Sequence, residues 1–132
     1  MTLVRRLLTV SLLAFALSAC GFGMKDTDVY GVYHASRGND AETLTLYDDG
    51  NYLHEWNARG EEGRATGTWR IHMLGAGFAQ IKVQDYQDRL DPDAHERGDW
   101  DVDVRRSSPM DTPRIVIDDG LALYYAKDRG TG

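Results

Sequence analysis

From Val29 onward, apolar residues recur at every second position, and glycine or aspartate interrupts them about every ten residues. No twelve-residue window sustains the i, i+3, i+4, i+7 spacing of an amphipathic helix. That period of two constrains the fold more than any other feature. It predicts eight short strands, over 29–35, 42–47, 51–57, 65–73, 78–84, 99–105, 113–118 and 121–127. Short strands at even spacing imply an all-β fold, an antiparallel meander that closes into a small barrel or sandwich. At 132 residues the chain has room for one such domain.

Two turns are marked by aspartate and glycine. Asp48-Asp49-Gly50 separates Leu44-Thr45-Leu46-Tyr47 from Asn51-Tyr52-Leu53, and Asp118-Asp119-Gly120 separates Ile115-Val116-Ile117 from Leu121-Ala122-Leu123. Glycine supplies the positive φ that a tight hairpin needs. A three-residue loop at the first turn, with Gly50 left-handed, puts Leu44, Leu46, Tyr52 and Trp56 on one face. A two-residue loop would set Leu44 opposite Glu55. The same alternation points Trp69, Ile71 and Met73 inward on the fourth strand, with Arg70 and His72 outward. It points Ala79, Ile81 and Val83 inward on the fifth, and Trp100, Val102 and Val104 inward on the sixth. Three tryptophans aimed into one small core predict an interior largely filled by side chains.

The run Gly31-Val32-Tyr33, then Leu44-Thr45-Leu46-Tyr47-Asp48-Asp49-Gly50-Asn51-Tyr52, then Gly67-Thr68-Trp69 resembles the small lipocalin-like β-barrel lipoproteins of the copper-homeostasis type. Those proteins carry a Cys-x-x-Cys near their first strand, whereas this chain has one cysteine. What the resemblance implies is therefore a barrel fold, with function left to the residues themselves.

The N-terminus addresses location. Arg5 and Arg6 precede an apolar run from Leu7 to Leu17, and Ser18-Ala19 precede Cys20, which is the layout of a signal peptide. The run is shorter than the roughly 20 apolar residues that a spanning helix needs. Leu17-Ser18-Ala19-Cys20 resembles the bacterial lipobox. That resemblance implies a signal peptide over 1–19, a lipidated tether over 20–28 and a barrel domain over 29–132. It implies lipid on Cys20, and Gly21 after it implies delivery to the outer membrane, where the domain is expected to face the periplasm. Residues 21–28 extend to at most about 26 Å, so the domain is expected close to the bilayer.

Charge narrows the partners. Cleavage removes Arg5 and Arg6 from the 15 basic residues, leaving 13 against 21 acidic ones, a net −8. An acidic domain is unsuited to nucleic acid. It gains nothing from anionic headgroups, so the lipid is the expected membrane contact. Residues Asp85 to Asp103 hold eight acids (Asp85, Asp88, Asp91, Asp93, Glu96, Asp99, Asp101 and Asp103) against Arg89 and Arg97. Clustered charge of one sign is suited to fast docking on a basic protein. Asp88, Asp91, Asp93, Glu96 and Asp99 are expected on one exposed loop beside Asp101 and Asp103, which alternation points outward on the sixth strand. Asp91, Asp93 and His95 alternate as at the start of a calcium loop, but the sixth-position glycine and twelfth-position glutamate are missing.

No G-x-S-x-G, H-E-x-x-H or phosphate-binding glycine loop occurs. Ser36, Ser107 and Ser108 stand among turn residues, where serine is common. The histidines, His34, His54, His72 and His95, include no pair at metal-ligand spacing. No catalytic residue, metal or cofactor is expected. His54 shares a face with Tyr52, Trp56 and Trp69. It is either a rim histidine bonded to a neighbouring strand end or the polar contact of a small ligand pocket lined by those aromatics. The chain thus reads as a non-enzymatic, membrane-anchored protein-binding module, such as an inhibitor or immunity protein against a basic cell-wall-active enzyme or toxin. A carrier of an apolar ligand and a structural envelope lipoprotein are the alternatives, and the state of the barrel interior separates the carrier from the surface roles.

Overall fold

The computed structural model describes residues 23–90, 97–118 and 123–128. Cys20 and its lipobox, the acids Asp91, Asp93 and Glu96, and the Asp119-Gly120 corner lie outside the described residues. The architecture is one closed antiparallel barrel of eight strands in sequence order. A four-residue helix, α1 (Asp26–Val29), precedes β1 (Gly31–Arg37), β2 (Asp40–Leu46), β3 (Asn51–Ala58) and β4 (Glu61–Leu74). Then come β5 (Phe78–Tyr86), β6 (Gly98–Arg105), β7 (Arg114–Asp118) and β8 (Leu123–Lys127). Closure pairs Tyr33 with Lys127 and His34 with Ala126. The fold is a barrel and not a sandwich.

The first hairpin has the expected loop. Leu46 pairs with Tyr52 and Leu44 with His54, and the Gly50 φ of 87° closes a three-residue turn. The Gly50 N–H donates to the Tyr47 carbonyl at 3.2 Å. Leu44, Leu46, Tyr52, Ala79, Ile81, Val83 and Val104 are all buried, as the alternation predicts. Trp69 is buried, while Ile71, Trp100 and Val102 pack against the core from partly buried positions.

Three register slips among the described residues depart from strict alternation, one of them between Val116 and Asp118 on β7 and the other two in β4 and β5. Between Ile71 and Met73 the register slips by one residue, so Met73 pairs with outward-facing Gln80. Met73 is exposed, which corrects the inward assignment. A second slip lies between Val83 and Tyr86. There Asp85 takes a φ of 56°, and the parity of the residues from Tyr86 to Leu90 reverses. Tyr86, Asp88 and Leu90 consequently turn inward. Asp88 is buried, with the Leu90 N–H donating to its Oδ1 at 2.9 Å, so it does not belong to an exposed acidic loop.

The two ends of the barrel are closed differently. At the end holding the β2–β3 and β4–β5 turns, α1 sits across the opening. Val29 is buried and its carbonyl accepts the Tyr33 hydroxyl at 2.6 Å. Lys127 Nζ donates to the Asp28 carbonyl at 2.8 Å, and Arg106 lies 3.4 Å from the Asp28 carboxylate. The chain after β5 folds over the opposite mouth, with Leu90 buried beneath it.

Candidate functional site

The site under that second mouth begins with a rule of parity. Glu42 lies two residues before Leu44 and four before Leu46, so it must point into the barrel. It pairs with Trp56 on β3, beside the His54 position. Glu42 and His54 are each 2% exposed. A carboxylate removed from water needs donors, or the burial is costly. The Tyr125 hydroxyl donates to one carboxylate oxygen and the Arg89 N–H to the other. Because the Tyr125 proton is committed to Glu42, Tyr86 is the donor in its 2.6 Å contact with the Tyr125 oxygen. His54 Nε2 faces the same carboxylate at 3.6 Å, too far for a hydrogen bond, and has no hydrogen-bond partner among the described residues.

Aromatic rings enclose this polar chain. The His54 ring lies 4.9 Å from both the Trp56 and Tyr86 rings, and Tyr86 meets Trp100 edge-on at 5.7 Å. Burial pushes the hydroxyls of Tyr86 and Tyr125 well above the usual tyrosine range, and the nearby Glu42 charge adds to it. Both stay protonated as donors. The guanidinium of Arg89 stacks over Trp56, 4.2 Å from the ring centroid. The arrangement fastens the segment after β5 to the barrel floor, since Glu42 holds its backbone and Trp56 its side chain. No substrate has open access to Glu42, whose side chain is fully enclosed.

Space for the large residues of β3 comes from β4. Trp56, His54 and Tyr52 pair with Gly63, Ala65 and Gly67. A Cβ on Gly63 would stand 2.3 Å from the Trp56 ring, and one on Gly67 2.5 Å from Tyr52. Tyr52 runs across that gap and donates to the carbonyls of Gln84 and Asp85, both at 2.8 Å.

The four residues expected in a ligand pocket are therefore not one pocket. His54 and Trp56 meet, and Tyr52 reaches Tyr86 at 6.4 Å. Trp69 lies toward the α1 end, 5.9 Å from Tyr30, with its indole N–H donating to the Tyr47 carbonyl at 2.9 Å. His54 is not a rim histidine but part of the packed interior. Three concavities border Trp56, of which one, about 320 Å³ beside Thr43, Glu55 and Asn57, is an open hollow on the outer wall and two are smaller clefts. One of about 230 Å³ is bordered by Arg59, Glu61, Gln87 and Arg89, and one of about 120 Å³ by Arg64, Asp85 and Arg97. Both are below the roughly 300–1,000 Å³ of a drug-sized ligand pocket. Larger concavities, of about 480 and 470 Å³, lie beside α1 and on the outer wall over β3 and β4.

The described acids of the 85–103 stretch mostly have cationic neighbours. Asp85 lies 2.8 Å from Arg97, Asp101 3.8 Å from Lys82 and Asp103 2.8 Å from Arg105. Asp99 is exposed and accepts the Asp85 N–H at 3.1 Å. Asp99, Asp101 and Asp103 do share the outward face of β6. Among the described residues no group of three His, Cys, Asp or Glu is placed to hold a metal ion.

Sequence reading missed Glu42, Tyr86, Arg89 and Tyr125. Parity from Leu44 could have found Glu42, whereas Tyr86 and Arg89 depend on a bulge that no glycine marks. Compared with known protein families, curated proteins and solved structures, the chain matches none.

Proposed function

We propose that this protein is a non-enzymatic lipoprotein, anchored in the outer membrane through Cys20 and facing the periplasm, that binds a protein partner on the outside of its barrel. The observation that carries the reading is the filled interior. Tyr33, Tyr52, Tyr86, Tyr125, Glu42 and His54 are buried in a domain whose interior was to be either a ligand cavity or a core. A packed core supports a surface role and speaks against a carrier. An inhibitor or immunity protein against a basic cell-wall-active enzyme or toxin is its sharpest form. The partner-binding residues are Asp99, Asp101 and Asp103 on β6, with Asp91, Asp93 and Glu96 preceding them in sequence. Asp88 leaves the set because it is buried.

The test places a photo-crosslinking residue at Asp101 in intact cells and measures association of the captured partner by surface plasmon resonance. The partner should be basic, and its association should slow at high salt while dissociation changes less, since screening reaches about 8 Å at physiological ionic strength. Asp91→Asn, Asp93→Asn and Glu96→Gln together should reproduce the slowing. An on-rate indifferent to both salt and the triple substitution contradicts the acidic docking surface.

A further inference from the structure

The large hydrophobic side chains left open on the described surface gather at one end of the barrel. They are Tyr47, Met73, Leu74 and Met110, the last 89% exposed. Tyr47 directly follows β2, Met73 and Leu74 end β4, and Met110 lies between β6 and β7. Antiparallel alternation brings all of these to the end that α1 covers, opposite the Arg89 mouth.

The chain enters at the same end. Gly23 bridges to Ala76, and the Met24 N–H donates to the Gly75 carbonyl at 3.1 Å. The Met24 side chain is buried in the core. On the other side of that turn, the Arg106 N–H donates to the Gly77 carbonyl at 2.9 Å, which fixes the start of the loop carrying Met110. The β4–β5 turn is thus held between the entering chain and this loop.

We propose that this end is a membrane-docking surface, with Met73, Leu74 and Met110 seated in the interfacial layer of the bilayer that holds the lipid on Cys20. The proposal rests on the lipoprotein reading and deepens it. Cys20 stands three residues before Gly23, and three residues reach at most about 11 Å. Because Gly23 and Met24 are pinned to the β4–β5 turn, the slack between lipid and domain is this short segment and not all of residues 21–28. An acyl anchor therefore draws the turn, with Met73 and Leu74 beside it, to headgroup depth. Exposed apolar side chains gain by leaving water there, and the tether brings the bilayer within reach before any second copy. Lys25 and His72 are exposed near the tip, and Asp26, Asp48, Asp49 and Asp111 are exposed on the same end. With both signs present, the contact should not depend on anionic lipid. It adds a protein contact to the lipid one.

The full-length protein carrying one added cysteine, Leu74→Cys, Met110→Cys or Asn39→Cys, tests this after labelling with a polarity-sensitive fluorophore. Asn39 is exposed in the β1–β2 turn at the opposite end. Each protein is reconstituted through its anchor into phosphatidylcholine vesicles containing shallow nitroxide lipids. The mass of the N-terminal fragment reports whether Cys20 is acylated, and an acylated Cys20 has no thiol to take the label. Labels at 74 and 110 should shift to the blue and lose most of their emission to the nitroxides, in high salt as in low, while the label at 39 does neither. If Cys20 is acylated and the labels at 74 and 110 behave like the one at 39, the docking surface is overturned and the anchor stands. If Cys20 carries no acyl chain, the lipoprotein reading fails and the docking surface falls with it. A blue shift without nitroxide quenching that grows with protein density identifies a second copy as the occupant, which also overturns the proposal.

Discussion

Glu42 is held by donors from two separate parts of the chain, Tyr125 on β8 and Arg89 in the segment after β5, and His54 on β3 faces it at 3.6 Å without a hydrogen bond. Removing the carboxylate strands both donors. Glu42→Ala is expected to cost about 3–5 kcal/mol, because buried partners are left without an acceptor. Denaturant unfolding measures this, and a loss below about 1 kcal/mol would reduce Glu42 to a bystander. The tyrosines add a pH dependence. Burial holds the hydroxyls of Tyr33, Tyr52, Tyr86 and Tyr125 above the ordinary value of 10.0. Stability from a group whose folded pKa is raised is fully present below the unfolded value and is lost as pH rises through the folded one. The barrel should therefore keep its stability up to about pH 10 and weaken beyond it. Tyrosinate absorbance read alongside circular dichroism should show these four hydroxyls ionising only as the strands are lost. Ionisation of all four with the fold intact would contradict their burial.

At the scale of elements, β3 and β4 fit by size. The large series Trp56, His54 and Tyr52 lies against the small series Gly63, Ala65 and Gly67. A methyl at Gly67 would meet the Tyr52 ring and hydroxyl at 2.5 Å, and that hydroxyl is bonded to two carbonyls and cannot swing away. Gly67→Ala is expected to destabilise by about 1–3 kcal/mol, measured by thermal or denaturant unfolding. The β3–β4 turn offers the opposite case. Arg59 and Gly60 have φ of 55° and 76°, the left-handed pair of a two-residue hairpin loop. Asparagine tolerates that conformation better than arginine, so Arg59→Asn should raise stability by about 0.5–1 kcal/mol. Eight strands, the Gly50 loop and the inward faces up to Val83, with the exception of Met73, were legible, because alternation and Asp-Gly turns report them directly. The bulges at 71–73 and 83–86 were not, since neither carries a glycine or proline to mark it. Asp85 adopts its positive φ at a cost that aspartate bears more easily than most residues. From that one residue follow the inward turn of Tyr86, the burial of Asp88 and the seating of Arg89. Glu42 was legible by position and obscured by residue type, because a carboxylate is seldom placed in a core without its partners in view.

For the whole molecule, the barrel divides its work between two ends and a wall. One end gathers the entering chain, α1 and the exposed Met73, Leu74 and Met110, while the other is sealed by Leu90 and Arg89 over the Glu42 chain. Between them, β6 displays Asp99, Asp101 and Asp103 on its outward face. This division follows from filling the interior with tyrosines and the buried carboxylates Glu42 and Asp88 instead of leaving a cavity. Native mass spectrometry of the full-length protein purified in mild detergent from the cell envelope tests that most directly. The account predicts a single species with the mass of the mature acylated chain and no retained small molecule, unchanged after incubation with a long-chain fatty acid. One apolar molecule retained per chain, released only on unfolding, would contradict it and make the barrel a carrier.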